Sequence, residues 1–151
     1  MATEDLSREI ILDHYQNPRN HGRLEHPTLA NRGHNPLCGD EIELSVAIDE
    51  QDGRIREIAF TGRGCSISQA SASMMTEALK GKTIVEAQKL FEKFHEVVTG
   101  PPDEIADVED LGKLAAFHGV RKFPVRVKCA TLAWHTLQAA LKNDHTPVST
   151  E

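Results

Sequence analysis

The sequence holds no apolar run approaching the roughly 20 residues that a membrane-spanning helix needs, which argues against a membrane role. It is also short of positive charge, with 17 Lys and Arg against 23 Asp and Glu, a formal net charge of −6 and a pI near 5.7. Phosphate binding needs a basic surface that releases counterions, so nucleic acid is not expected as a partner, and the acidic excess favours solubility instead. A secretory leader is not expected either. The chain opens Met1-Ala2-Thr3-Glu4-Asp5, acidic where a signal would be basic, and the cluster Ile10-Ile11-Leu12 is too short for an h-region, so the expected location is cytoplasmic. Cysteine is scarce and odd in number: three cannot all pair within one chain, and a reducing compartment keeps them as thiols. Metal binding or thiol chemistry therefore ranks above a disulfide framework. There are no internal repeats and no low-complexity segment.

What remains is an ordinary soluble composition, 39% hydrophobic and 26% charged, in 151 residues, a length that suits one domain built around a single core. The expectation is a single domain over 1–151, with an ordered core of about 5–143 and a polar tail at 144–151. Leu6, Ile10, Ile11 and Tyr15 recur at helical spacing until Asn17-Pro18 stops them. Arg19 to Pro36 carries Gly22, Pro27, Gly33 and Pro36 without periodicity and reads as a loop with room for a short edge strand. Ile42, Leu44, Val46 and Ile48 alternate with polar residues, Asp52-Gly53 supplies a turn, and Ile55, Ile58 and Phe60 follow with the alternation slipped by one. That predicts a β-hairpin with a bulge near Arg56. An alternating strand keeps one face wet, so the sheet should be antiparallel and covered by helices on its other side. Helices are predicted from Ser66 to Lys80, capped near Ser66 or Ser68 and stopped by Gly81, and from a Thr83/Glu86 capping box to Gly100. Two more follow, about Asp107 to His118 and from Cys129 to near Asn143.

The cysteines sit at element ends: Cys38 before the first clear strand, Cys65 entering a helix and Cys129 at the predicted start of the last helix. A helix N-terminus favours the thiolate, the form that binds metal. The plainer alternative is that they are small core residues. Zinc takes four ligands and three thiolates leave one position, which Asp40 can fill, because Gly39 lets the flanking side chains of Cys38-Gly39-Asp40 converge. Such a site would be anionic, and Arg63, Arg126 and Lys128 stand beside its members in the sequence. The eight histidines show no metal-ligand spacing, and only His34 is a candidate for supporting the ligands from behind. Met74, Met75 and Trp134 read as core.

Four blocks then carry a resemblance: Asp13-His14-Tyr15-Gln16-Asn17-Pro18-Arg19-Asn20, Cys38-Gly39-Asp40, Gly62-Arg63-Gly64-Cys65-Ser66-Ile67-Ser68 with the helix behind it, and Lys122-Phe123-Pro124-Val125-Arg126-Val127-Lys128-Cys129. Together they resemble the IscU/SufU family of iron–sulfur cluster assembly proteins, and its SufU branch in particular. Scaffold proteins of the IscU type carry histidine before the third cysteine and a Leu-Pro-Pro-Val-Lys motif. Here the residue is Lys128 and the segment reads Lys122-Phe123-Pro124-Val125-Arg126. The stretch from Cys65 to Cys129 is also longer than in the scaffold type, as in the SufU branch.

The resemblance implies an α+β fold, a small antiparallel sheet of about three strands packed by four to six helices. It implies a Zn2+ site at Cys38, Asp40, Cys65 and Cys129, and sulfur transfer as the activity. A SufS-type cysteine desulfurase, a pyridoxal phosphate enzyme, would supply persulfide sulfur to Cys38, with a desulfurase histidine taking the zinc position that Cys38 leaves. The SufB/SufC/SufD assembly complex would lie downstream. Arg126, three residues before Cys129, is the candidate for docking or steering the persulfide. The rival reading is a scaffold that builds a [2Fe-2S] cluster on the same ligands.

Overall fold

A computed structural model describes residues 4–104, 108–142 and 148–149. Helix α1 (Glu4–Gln16) leads through a long irregular stretch to strand β1 (Leu29–Asn35). Strands β2 (Asp40–Asp49) and β3 (Arg54–Arg63) follow as a hairpin, then helices α2 (Ser66–Leu79) and α3 (Ile84–Thr99). A 3-10 helix (Gly112–Lys122), helix α4 (Pro124–Leu141) and a short strand β4 (Val148–Ser149) complete the order. The fold class is α+β, as the sequence implied. No described helix is long and apolar enough to cross a membrane.

The sheet runs β3-β2-β1-β4, antiparallel in its first two pairings and parallel between β1 and β4. The predicted hairpin is present, and its bulge falls at Arg56, since Ala47 pairs with Glu57 while Ile48 pairs with Ile55. Two features differ from the sequence reading. The stretch expected to be mainly loop contains β1, a full inner strand whose alternation runs through Asn31, Gly33 and Asn35, polar or small residues that give no hydrophobic signal. Within the predicted polar tail, Val148 and Ser149 pair with Gly33 and His34; residues 144–147 and 150–151 of that tail lie outside the described ones.

One sheet face is charged and wet, and the other is covered by α2 and α4, with α1 packed on α2. Cross-strand pairs Leu44–Phe60 and Val46–Ile58 supply the sheet's share of the core. Trp134 of α4 is fully buried and stacks on Phe94 of α3 with ring centroids 4.7 Å apart. Its indole N–H donates to Ser71 Oγ at 3.1 Å, and that hydroxyl donates to the Ala130 carbonyl at 2.6 Å. The buried serines and alanines of α2 thus let α4 approach closely while leaving no polar atom stranded there.

The Thr83/Glu86 capping box starts α3 as predicted. The predicted third helical piece appears as the 3-10 helix from Gly112; its expected start, Asp107, lies outside the described residues. Helix α4 starts a turn earlier than expected. Pro124 occupies its first turn, where a missing N–H costs nothing, so the proline is a start signal and Cys129 lies inside the helix.

Candidate metal centre

Cys38 sits in the turn between β1 and β2, exposed, with its N–H donating to the Asn35 carbonyl at 3.3 Å. Gly39 takes φ +70°, a left-handed conformation that turns the chain back so that Asp40 can open β2 facing inward. Asp40 is fully buried. Its Oδ1 accepts the Cys65 N–H at 2.8 Å, and its Oδ2 lies 3.7 Å from Cys65 Sγ. Gly64 makes this approach possible: at φ +143° it presses so close to Asp40 that a Cβ would overlap Oδ1.

Cys65 is itself the N-cap of α2, with no side-chain cap, where a serine was expected. Ser66 is already helical, and Ser68 instead donates its hydroxyl to the Cys65 carbonyl at 3.2 Å. Cys129, in the second turn of α4, is buried with its sulfur 3.4 Å from Cys38 Sγ. One ligand atom each from Cys38, Asp40 and Cys129 lies within 4.8 Å of the others, and Cys65 joins through Asp40. A turn, a strand start and a helix interior thus bring three donors together, with the N-cap residue Cys65 beside Asp40.

Two of the donor separations fit a small tetrahedral cation. Zinc bond lengths to sulfur and oxygen place tetrahedral donors about 3.6–3.8 Å apart. The Cys38–Cys129 and Asp40–Cys65 separations, 3.4 and 3.7 Å, sit close to that. Three soft sulfurs and one hard oxygen suit zinc, and thiolate ligation also suits an iron–sulfur cluster.

The thiols differ in acidity. A hydrogen bond from the Cys129 thiol brings Cys65 down from 9.0 to about 6, aided against burial by Ser68. The same bond, followed by burial, pushes Cys129 up. The sequence reading placed both at helix starts and expected both to favour thiolate; only Cys65 is at one.

A cavity of about 660 Å³ opens onto Cys38, Cys65 and Cys129, with Ile11, Leu12, Ile67 and Val125 on its walls. Arg126 lines it too, its guanidinium carbon 4.5 Å above the Phe123 ring. Arg63 does not serve the site: it bonds Glu41 at 2.8 Å. His34 does not support the ligands either, being exposed on the wet face opposite Glu41. The adjacent Asn35 faces inward, 3.5 Å from both Asp40 Oδ2 and Cys129 Sγ. Asn35 and Gly64 are the site residues that sequence reasoning missed. Recognising β1 as a strand would have turned attention from His34 to its neighbour, since successive side chains alternate faces.

Comparison with known proteins adds the following. The family model for the NifU-like N terminal domain matches residues 6–130. A zinc-dependent sulfurtransferase SufU of Bacillus subtilis is 46% identical over 142 residues, covering 93% of this chain and 92% of that protein. An iron-sulfur cluster assembly scaffold protein IscU of Streptococcus pyogenes is 45% identical over 137 residues, covering 91% and 83%. The crystal structure of FiSufU from Fervidobacterium islandicum superposes with a TM-score of 0.80 at 36% identity, covering 88% of this chain and 94% of that one.

Proposed function

Since this chain belongs to the NifU-like N-terminal domain family, we propose that it serves iron–sulfur cluster assembly as a zinc-dependent sulfur carrier, with Cys38 as the acceptor. The observation that carries this reading is the contrast in access among converging donors. Cys38 is exposed on a turn, whereas Asp40 and Cys129 are buried behind it. Cys38, Asp40, Cys65 and Cys129 would hold the ion, which when bound keeps the thiolates unprotonated.

The transfer itself needs only Cys38 and a partner persulfide. The Cys38 thiolate attacks the outer sulfur, a new S–S bond forms on Cys38, and the old S–S bond breaks with its electron pair left on the partner's cysteine sulfur. No external oxidant or reductant enters, because the sulfur moves without a net change in oxidation state. Cys65, Cys129 and Asp40 stay in place behind the moving residue. Arg126, exposed at the cavity mouth, provides positive charge where an anionic persulfide would arrive. The exposed apolar side chains of Leu12, Leu37, Phe123 and Val125 suit a protein partner rather than a small molecule. A SufS-type cysteine desulfurase would be that partner, in the cytoplasm, with the SufB/SufC/SufD complex downstream.

A second reading is a [2Fe-2S] scaffold, favoured by the similarity to a relative named as an IscU scaffold. Lys128, in place of a fourth soft ligand beside Cys129, weighs against it. The test is a cysteine desulfurase turnover assay with and without this protein, paired with metal analysis of the same sample. The expected result is a colourless protein with about one zinc per chain that stimulates turnover, and no stimulation by Cys38→Ala. A stable brown, iron-bearing protein as isolated would establish the scaffold instead.

A further inference from the structure

Asn35 ends β1, fully buried, and every hydrogen-bonding group it presents to the site is used. Its main-chain carbonyl accepts the Cys38 N–H and its Oδ1 accepts the Leu37 N–H, both at 3.3 Å, so it shapes the turn that carries Cys38. Its amide nitrogen lies 3.5 Å from Asp40 Oδ2 and 3.5 Å from Cys129 Sγ. An amide nitrogen carries two N–H donors, enough to serve both acceptors. One side chain therefore touches two of the converging donors and shapes the turn bearing a third. Among the described residues, no side-chain nitrogen reaches the sulfur of Cys38 or Cys65.

An N–H directed at a sulfur fixes that sulfur's direction and holds it in its buried seat. The same bond to a carboxylate orients it as a ligand. We infer that Asn35 is a positioning residue that decides which sulfur is free to react: it pins Cys129 and Asp40 as permanent donors and leaves Cys38 as the exchangeable one. The inference builds on the metal reading of the site, but the bonds to Cys129 and Asp40 exist without the ion, and so does part of the test.

The opposing explanation is that Asn35 merely fills space. Two variants separate the roles. Asn35→Leu keeps bulk and removes both donors, whereas Asn35→Ser keeps a donor and opens a void. Zinc release to a chromophoric chelator is measured on zinc-loaded protein. In parallel, alkylation of the metal-free protein by iodoacetamide is followed cysteine by cysteine through mass mapping. Zinc affinity is expected to fall about 10- to 100-fold in Asn35→Leu and less in Asn35→Ser. Cys129, released from its buried seat in the metal-free leucine variant, is expected to become more accessible to the reagent and to gain alkylation relative to Cys38. A serine variant that loses zinc more readily than the leucine variant, or an unchanged alkylation order in Asn35→Leu, overturns the inference. A wild-type chain that takes up no zinc refutes the metal reading, while the alkylation order still decides the role of Asn35.

Discussion

Cys38 and Cys129 present their sulfurs 3.4 Å apart, yet they belong to different kinds of structure. Cys129 rides on a buried helix that packs against the sheet, so its position is held by the same contacts that hold the core. Cys38 rides on an exposed four-residue turn held by the carbonyl and side chain of Asn35 and bent at Gly39. A donor set built this way has a buried wall and an exposed rim. That division is what a carrier requires, because the atom that meets a partner must move without dismantling the remainder.

The comparison breaks most severely if the buried wall is deformed. Gly64→Ala adds a Cβ against the Asp40 carboxylate at a left-handed position, and strain plus overlap should cost about 2–4 kcal/mol in chemical unfolding. Metal content, measured on the same samples, should fall with it. Next come the cysteines themselves. Cys129→Ala should lose metal and about 1 kcal/mol of stability, since it empties a buried position. Cys38→Ala should leave stability within about 0.5 kcal/mol of wild type, because the side chain is exposed. Equal stability losses in the two variants, by urea unfolding, would erase the distinction between wall and rim.

A gentler test uses acid on α1, the cavity's other wall. His14 is buried, its Nδ1 2.8 Å from Ser73 Oγ, which also accepts the Arg19 N–H at 2.9 Å. Ser73 can then donate its proton to a neutral imidazole, an arrangement a protonated ring would break. Burial, and then the Arg19 charge, hold His14 below its ordinary 6.5, with Glu77 opposing. The unfolded chain therefore takes up a proton that the folded chain refuses. Stability from this group is intact above pH 6.5 and is lost as pH falls below it. Thermal unfolding between pH 7 and pH 5 should show that slope, and His14→Gln should flatten it. Smallest of all should be Arg126→Gln, at an exposed side chain lying over the Phe123 ring, which should leave the melting temperature unchanged while slowing sulfur transfer.

The hairpin, its bulge at Arg56 and the capping box of α3 were legible because each is a short-range pattern: alternation, a one-residue slip, a hydroxyl three residues before a carboxylate. The start of α4 was misplaced because Pro124 has two opposite meanings, breaker inside a helix and favoured residue at its first turn, and only the surrounding chain chooses between them. β1 escaped because it is an inner strand flanked on its buried face by Asn31, Gly33 and Asn35, so burial there is not written in hydrophobicity. His34 was singled out for its nearness to Cys38 in the sequence, and without the strand nothing showed that it points to the wet face while Asn35 points inward.

By itself the amino-acid order determined that this is an acidic chain with an odd number of cysteines and an aspartate beside a glycine, and that helices should cover one face of a hairpin. Those are properties of composition and local spacing. Which sulfur faces solvent, which is buried, and which amide stands behind them was decided only by the tertiary structure. Access and hydrogen bonding at that point depend on residues as distant in the chain as Asn35 and Cys129, and no local pattern records a contact across 94 positions.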